Sequence, residues 1–135
     1  MRGLAGDDRL VGKFGNDLLI GDSGDDDLQG RIGADSLFGG GGNDGLGGGG
    51  GDDLLTGGTG RDTFVFARGG GHDVITDFVD GLDRIDLSSF GFATFAAAEA
   101  QFAASGADLV FAKGAVVLTL NNFTLAELSP GDLIL

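Results

Sequence analysis

Cysteine is absent from this chain of 135 residues, and histidine occurs once, as His72. No disulfide can hold the fold, and neither a thiolate nor a pair of imidazoles is available to bind zinc. A chain without cysteine also fits an exported bacterial-type protein that does without disulfides. Basic residues are scarce: eight Lys and Arg stand against 21 Asp and Glu, for a net charge of −13. Such a surface repels nucleic acid and anionic membrane. No run reaches the roughly 18 consecutive apolar residues needed to span a bilayer. Signatures of common catalytic centres are missing too. There is no His pair of a metalloprotease, no nucleophile elbow and no Gly-Lys-Ser phosphate loop. The chain is therefore expected not to be an enzyme.

Glycine and aspartate, by contrast, are abundant and in register. Residues 3–65 form seven tandem nonapeptides of the pattern G-x-x-G-x-D-x-U-x, with U apolar. The first glycine is Gly3, Gly12, Gly21, Gly30, Gly39, Gly48 and Gly57. The second is Gly6, Gly15, Gly24, Gly33, Gly42, Gly51 and Gly60. The acidic column is Asp8, Asp17, Asp26, Asp35, Asp44, Asp53 and Asp62. The apolar column is Leu10, Leu19, Leu28, Leu37, Leu46, Leu55 and Phe64. A repeat this strict means one structural unit stacked on itself. A flexible glycine linker would keep neither Asp nor Leu in register.

The residue types point to a metal. A carboxylate every nine residues, beside a glycine loop, offers hard oxygen ligands. Such a set suits Ca2+, which takes about six to eight oxygens in irregular geometry, better than Mg2+, which keeps its waters. Glycine at positive φ turns backbone carbonyls towards an ion. The repeats carry twelve Asp against Arg9, Lys13, Arg31 and Arg61. Ordering a nine-residue unit loses more entropy than burying one Leu returns. Ions and a hydrogen-bond ladder must supply the difference, so the metal-free repeats are expected to be disordered.

The pattern resembles the RTX, or hemolysin-type calcium-binding, repeat GGxGxDxUx. It departs from that consensus at the second position, which is Leu4, Lys13, Asp22 and Arg31 before Gly40, Gly49 and Gly58 restore glycine. The resemblance implies an all-β fold, a parallel β-roll with two nonapeptides per coil. The first six residues of each repeat would form a calcium-binding turn and the last three a strand. Turn n would stack on turn n+2, with one Ca2+ between them and loop carbonyls around the glycines completing its shell. One column would pair Asp8, Asp26, Asp44 and Asp62, and the other Asp17, Asp35 and Asp53. That implies five internal ions. Asp73 is a candidate for a sixth site, and Asp77, Asp80 and Asp83 for a terminal one. His72, with no partner His or Cys, reads as a turn or surface residue.

Residues 66–135 lose the period and read as a second, β-rich capping region. The strings TFVFA, ITDF and DRIDLS resemble the C-terminal flank of RTX arrays in serralysin-type proteases. Val74, Ile75, Phe78, Ile85 and Leu87 are expected to extend the core. Residues 94–104 read as a short amphipathic helix capped by Thr94, with Phe95, Ala98 and Phe102 on one face. Strands are expected at 108–112 and 115–120, with a turn at Lys113-Gly114. The last residues, Asp132-Leu133-Ile134-Leu135, resemble the uncleaved C-terminal signal of type I secreted proteins.

Together the resemblances imply a secreted, extracellular bacterial module that folds on Ca2+. It would be exported unfolded by a type I apparatus as the C-terminal part of a larger protein, whose upstream domain it supports. The alternative is an accessory module similar to the R-modules of alginate epimerases, with a polysaccharide partner. The sequence shows no basic groove for an anionic polymer. A binding ladder for adhesion is also absent, because the seventh column (Arg9, Leu18, Asp27, Ser36, Gly45, Leu54, Thr63) mixes types.

Overall fold

The computed structural model describes all residues, 1–135. Between repeats a strand runs from the seventh position of one nonapeptide to the third of the next, so the seven repeats hold six such strands and a shorter one at each end. These are β1 (Arg2–Ala5), β2 (Arg9–Phe14), β3 (Leu18–Ser23), β4 (Asp27–Ile32), β5 (Ser36–Gly41), β6 (Gly45–Gly50), β7 (Leu54–Thr59) and β8 (Thr63–Val65). The flank adds β9 (His72–Ile75), β10 (Arg84–Asp86), helix α1 (Phe95–Glu99), β11 (Phe102–Ser105), β12 (Asp108–Lys113), β13 (Val116–Leu120) and β14 (Leu133–Ile134).

A tight Gly-x-Asp turn reverses the chain after each of β1 to β7, so successive strands of the repeats fall in opposite sheets. Odd-numbered strands up to β9 build one sheet, which β13, β12 and β11 extend in the order β1-β3-β5-β7-β9-β13-β12-β11, and the even-numbered strands other than β12 build the second, ordered β14-β10-β8-β6-β4-β2. Within the repeats all pairing is parallel and in register: Leu10 lies beside Leu28, Leu28 beside Leu46, and Leu46 beside Phe64. In the facing sheet Leu19, Leu37, Leu55 and Ile75 form the matching row. From Leu19 onwards the members of both rows are fully buried. Alternation along the strand places the seventh and ninth residues outside and the apolar eighth inside. The fold is thus an all-β parallel roll of two nonapeptides per coil.

The strands are longer than the three residues the resemblance implies. Pairing covers positions seven to nine, skips the first glycine, and resumes at positions two and three, as in Lys13 beside Arg31 and Phe14 beside Ile32. The chain bends at the second position with positive φ (Lys13 88°, Arg31 89°, Gly40 115°) yet still bonds to the next coil. Turn and strand therefore share these residues.

Both sheets run past residue 65 into the flank, and one cluster of 23 buried apolar residues extends from Leu10 to Leu133. Phenylalanines replace leucines at this end. Phe78 packs on Phe64 and Phe123 with ring centroids 6.2 and 5.0 Å apart. Phe111 meets Phe90, Phe92 and Phe102. Ile75, Phe78, Ile85 and Leu87 are core residues, whereas Val74 faces outward and is half-buried.

The helix is shorter than the sequence pattern predicts. Thr94 caps it, accepting from the N–H of Ala97 at 3.2 Å, but it ends at Glu99. Phe102 belongs instead to β11, which pairs antiparallel with β12. Ladder bonds and the contact with Phe111 outweigh the roughly one and a half further turns of helix. The next hairpin turns at Gly114, φ 67°. No helix is long and apolar enough to cross a membrane.

Candidate metal centre

Stacking at an 18-residue period brings the predicted acids into two columns between coils. In one, the N–H of Asp8 donates to Oδ1 of Asp26 at 2.7 Å, that of Asp26 to Asp44 at 2.8 Å, and that of Asp44 to Asp62 at 2.9 Å. In the other, Asp17 donates to Asp35 at 2.7 Å, and Asp35 to Asp53 at 2.8 Å. From Asp26 onwards each carboxylate thus reaches back to the preceding coil with one oxygen.

The other oxygen is left over. Oδ2 of Asp8, Asp17, Asp26, Asp35, Asp44, Asp53 and Asp62 is buried and has no hydrogen-bond partner. An ionised oxygen removed from water without compensation is strongly unfavourable. It lies against the first glycine of its own repeat. A Cβ added at Gly3 would sit 2.6 Å from Asp8 Oδ2 and 2.8 Å from the carbonyl oxygen of Gly21. Gly12 stands in the same relation to Asp17 and Gly30. These glycines do not have positive φ, so this column is explained by close approach rather than by backbone freedom.

The second and fourth positions provide backbone oxygens. The carbonyls of Asp22 and Arg31 rise against Gly40 and Gly49 of the next coil, and those of Gly6 and Gly15 against Gly24 and Gly33. Nowhere do three acidic or imidazole side chains converge. A cation held between coils would draw its remaining ligands from this backbone. The donor set, carboxylate and carbonyl oxygen with neither nitrogen nor sulfur, fits Ca2+.

Burial raises the acids at the inner end of the columns. Desolvation lifts Asp44, Asp53 and Asp83, against the N–H bonds that favour their ionised forms. Desolvation, with Asp83, Asp44 and Asp77 nearby, pushes Asp62 to about 6. Asp73 is pushed to about 7, mainly by desolvation and secondarily by Asp53 and Asp52.

The flank acids divide. Asp73 takes the next place after Asp53, accepting from its N–H at 3.1 Å, and is buried. Asp83 takes the place after Asp62 at 3.0 Å, but its second oxygen accepts from the N–H of Val79 at 2.9 Å. Asp77 spends both oxygens on the N–H groups of Gly57 and Gly58. Asp80 and His72 are exposed. The buried, unpartnered oxygens end with Asp62.

Sequence reasoning missed a second ladder at the fifth position. Oδ1 of Asp7, Asn16, Asp25, Asn43 and Asp52 accepts from the N–H one coil on, namely Asp25, Ala34, Asn43, Arg61 and His72, at 2.7–3.0 Å. The signal was present: five of the seven repeats carry Asp or Asn there.

Comparison with known proteins agrees with this architecture. The RTX calcium-binding nonapeptide repeat matches in four overlapping copies, at residues 2–37, 20–55, 29–64 and 47–76. In three dimensions the chain is similar to the AlgE6R2 subunit of the Azotobacter vinelandii mannuronan C5-epimerase. The identity is 31%, the match covers 96% of this chain and 88% of that one, and the TM-score is 0.60. It is also similar in fold to the extracellular lipase LipA of Serratia marcescens, at 24% identity and a TM-score of 0.58. That match covers 96% of this chain but only 20% of the lipase, so the chain spans about a fifth of the lipase's length. Among curated proteins none matches the sequence.

Proposed function

The chain belongs to the family of RTX calcium-binding nonapeptide repeats, and on that premise we propose that it is a calcium-triggered folding module of a larger, type I secreted bacterial protein. The observation that carries this reading is the row of seven buried Asp oxygens without partners. In the unfolded chain water solvates these carboxylates. In the roll they face one another's coils, and at neutral pH a cation between the coils would compensate them. Asp8, Asp26, Asp44 and Asp62 would hold it on one side, Asp17, Asp35 and Asp53 on the other. Carbonyls of the second and fourth positions would add to both. Five internal spaces result, and the Asp53–Asp73 pair makes a sixth.

When bound, Ca2+ supplies the positive charge that the protein itself lacks there. At tenfold excess over Kd each site adds about 1.4 kcal/mol. Five such sites add about 7 kcal/mol, comparable to the whole stability of a small domain. A cytosol poor in Ca2+ would leave the repeats unfolded and able to thread a channel. The extracellular medium, with millimolar Ca2+, would close the roll.

Burial of the C-terminus supports an order of events. Asp132 is fully buried, its oxygens accepting from the N–H groups of Gly81 and Ser129, and Leu133 pairs into the sheet beside Ile85. A transporter could read Asp132-Leu133-Ile134-Leu135 only before folding. Deleting these four residues from a fusion to a slow-folding reporter should lower its export through a matching type I transporter. Undiminished export would contradict the assignment of the signal to these residues.

A further inference from the structure

The seventh column mixes residue types along the chain, yet the roll sorts it. Stacking sends Arg9, Asp27, Gly45, Thr63 and then Arg84 to the outer face of the six-stranded sheet, as register neighbours. Leu18, Ser36, Leu54 and then Val74 go to the outer face of the eight-stranded sheet, where Thr119 of β13 and Val110 of β12 continue the row. Beside that row runs another, Ile20, Phe38 and Thr56, prolonged by Thr76, whose hydroxyl lies 2.7 Å from that of Thr56. Neither row carries a charge, in a chain of net charge −13. Leu18 and Leu54 are 51% and 38% exposed.

A contiguous uncharged face on an otherwise acidic molecule marks an interaction surface. This one is flat, since the grooves of the molecule open elsewhere, over the six-stranded sheet and beside the Lys113-Gly114 turn. A small ligand finds no enclosure there, whereas another sheet can pack on it face to face at about 10 Å.

We propose that this face binds a second copy of the chain, in a two-fold symmetric dimer that forms once calcium has closed the roll. Relief, charge and area support that occupant. Small Ser36 stands between Leu18 and Leu54, so the row reads ridge, hollow, ridge. Under a two-fold rotation, Leu54 of each copy enters the hollow over Ser36 of the other. On this face two copies meet without opposing carboxylates, whereas elsewhere their acidic surfaces repel. Five internal Ca2+ would also cut the charge of each copy from −13 to about −3. Six strands about 4.8 Å apart, with somewhat under 20 Å of each, present roughly 500 Å2. A pair then buries roughly 1,000 Å2, the lower bound for a specific interface, so the dimer is weak and reversible. The proposal rests on the calcium-dependent roll, because the unfolded chain has no such face.

The test is sedimentation equilibrium of the full chain in saturating Ca2+, across a micromolar concentration series, with circular dichroism on the same samples. A mass rising with concentration from monomer to dimer, and no further, is expected. Leu54→Arg should weaken association at least about tenfold, since the two-fold axis brings two new like charges together. The fold accommodates arginine at that position, where the first repeat carries Arg9. Ser36→Leu adds apolar surface but fills the hollow. It should weaken association too, and a strengthened dimer would contradict the two-fold fit. Val65→Arg, at a 42% exposed site on the opposite face, should change nothing. Equal losses from Val65→Arg and Leu54→Arg would overturn the choice of face. Folded monomer at every concentration would overturn the dimer, and its retention on a phenyl resin, lost in Leu54→Arg, would give the face to a different apolar partner. A sample that calcium does not fold would instead contradict the folding reading, and the dimer with it.

Discussion

The backbone N–H of Asn43 donates to Oδ1 of Asp25 in the preceding coil, at 2.7 Å. One residue further on, the sense reverses: the carboxylate of Asp44 accepts from the N–H of Asp26 in that same preceding coil, at 2.8 Å. Fifth-position side chains therefore reach forward along the stack and sixth-position ones reach back. Each turn is tied to its neighbour from both sides. The forward ladder lies at the exposed surface and leaves no buried oxygen without a partner. The backward ladder is buried and leaves one oxygen per repeat unpartnered.

The forward ladder has a missing rung. Ala34 stands at a fifth position and offers no acceptor to the N–H of Asp52 one coil on. Ala34→Asn should supply it, as Asn16 does for Ala34 itself. A gain of about 0.5–1.5 kcal/mol is expected for one such bond. Urea unfolding in saturating Ca2+ measures it, and an unchanged or lower midpoint would contradict the role given to this column.

Glycines of the two faces should respond differently. A Cβ at Gly39 would meet the carbonyl oxygen of Gly57 at 2.6 Å and Asp44 Cβ at 2.9 Å, whereas at Gly45 the nearest atom is 3.9 Å away. Gly39→Ala is expected to destabilise the calcium-bound roll by roughly 1–3 kcal/mol, as overpacking does. Gly45→Ala should be neutral, or gain up to about 1 kcal/mol by restricting the unfolded chain. Similar losses for both would remove the close-approach explanation of the first-glycine column.

Acid should substitute in part for the metal. In the folded, metal-free chain burial raises Asp62 to about 6 and Asp73 to about 7, from 3.8. A carboxyl whose pKa rises on folding holds its proton more tightly in the folded chain. Its contribution to stability is complete below the unfolded value and is lost as pH rises through the folded one. Chelated protein should therefore gain β-structure between about pH 8 and about pH 5. Over the same range the calcium midpoint should rise, because protons compete for the carboxylates. Circular dichroism with and without chelator checks both trends, and identical spectra of the chelated chain across this range would contradict the first.

Much of the site was legible because every repeat is the same experiment performed seven times. The columns of Asp and Leu fix which residues stack once the coil is known to hold two repeats. Legibility fails where the period fails. Asp73 and Asp83 lie 20 and 21 residues after Asp53 and Asp62, so spacing alone ranks Asp73 first and leaves Asp83 among several acids, although both continue the ladders. Phe95, Ala98 and Phe102 satisfy a helical face, yet Phe102 leaves the helix because β12 offers it a partner strand. The pairing of Lys13 with Arg31 is a property of the stack, invisible along the chain. The tail illustrates a further point: Asp132-Leu133-Ile134-Leu135 carries a buried capping carboxylate and a closing strand, whatever else it does before folding.

The central claim is that the buried carboxylates forbid the roll until calcium joins the coils. A calcium titration of the chelated protein, followed by far-ultraviolet circular dichroism, tests it most directly, with Mg2+ and the variant Asp44→Ala run alongside. Asp44 bonds to coils on both sides and sits mid-stack, where coupling to neighbours is greatest. The account predicts a largely disordered spectrum without metal and cooperative gain of β-structure at millimolar Ca2+. It predicts no such gain with equal Mg2+, and a midpoint moved to higher calcium by Asp44→Ala. A chelated chain that already shows the full β-spectrum at neutral pH, unchanged by calcium, would contradict it.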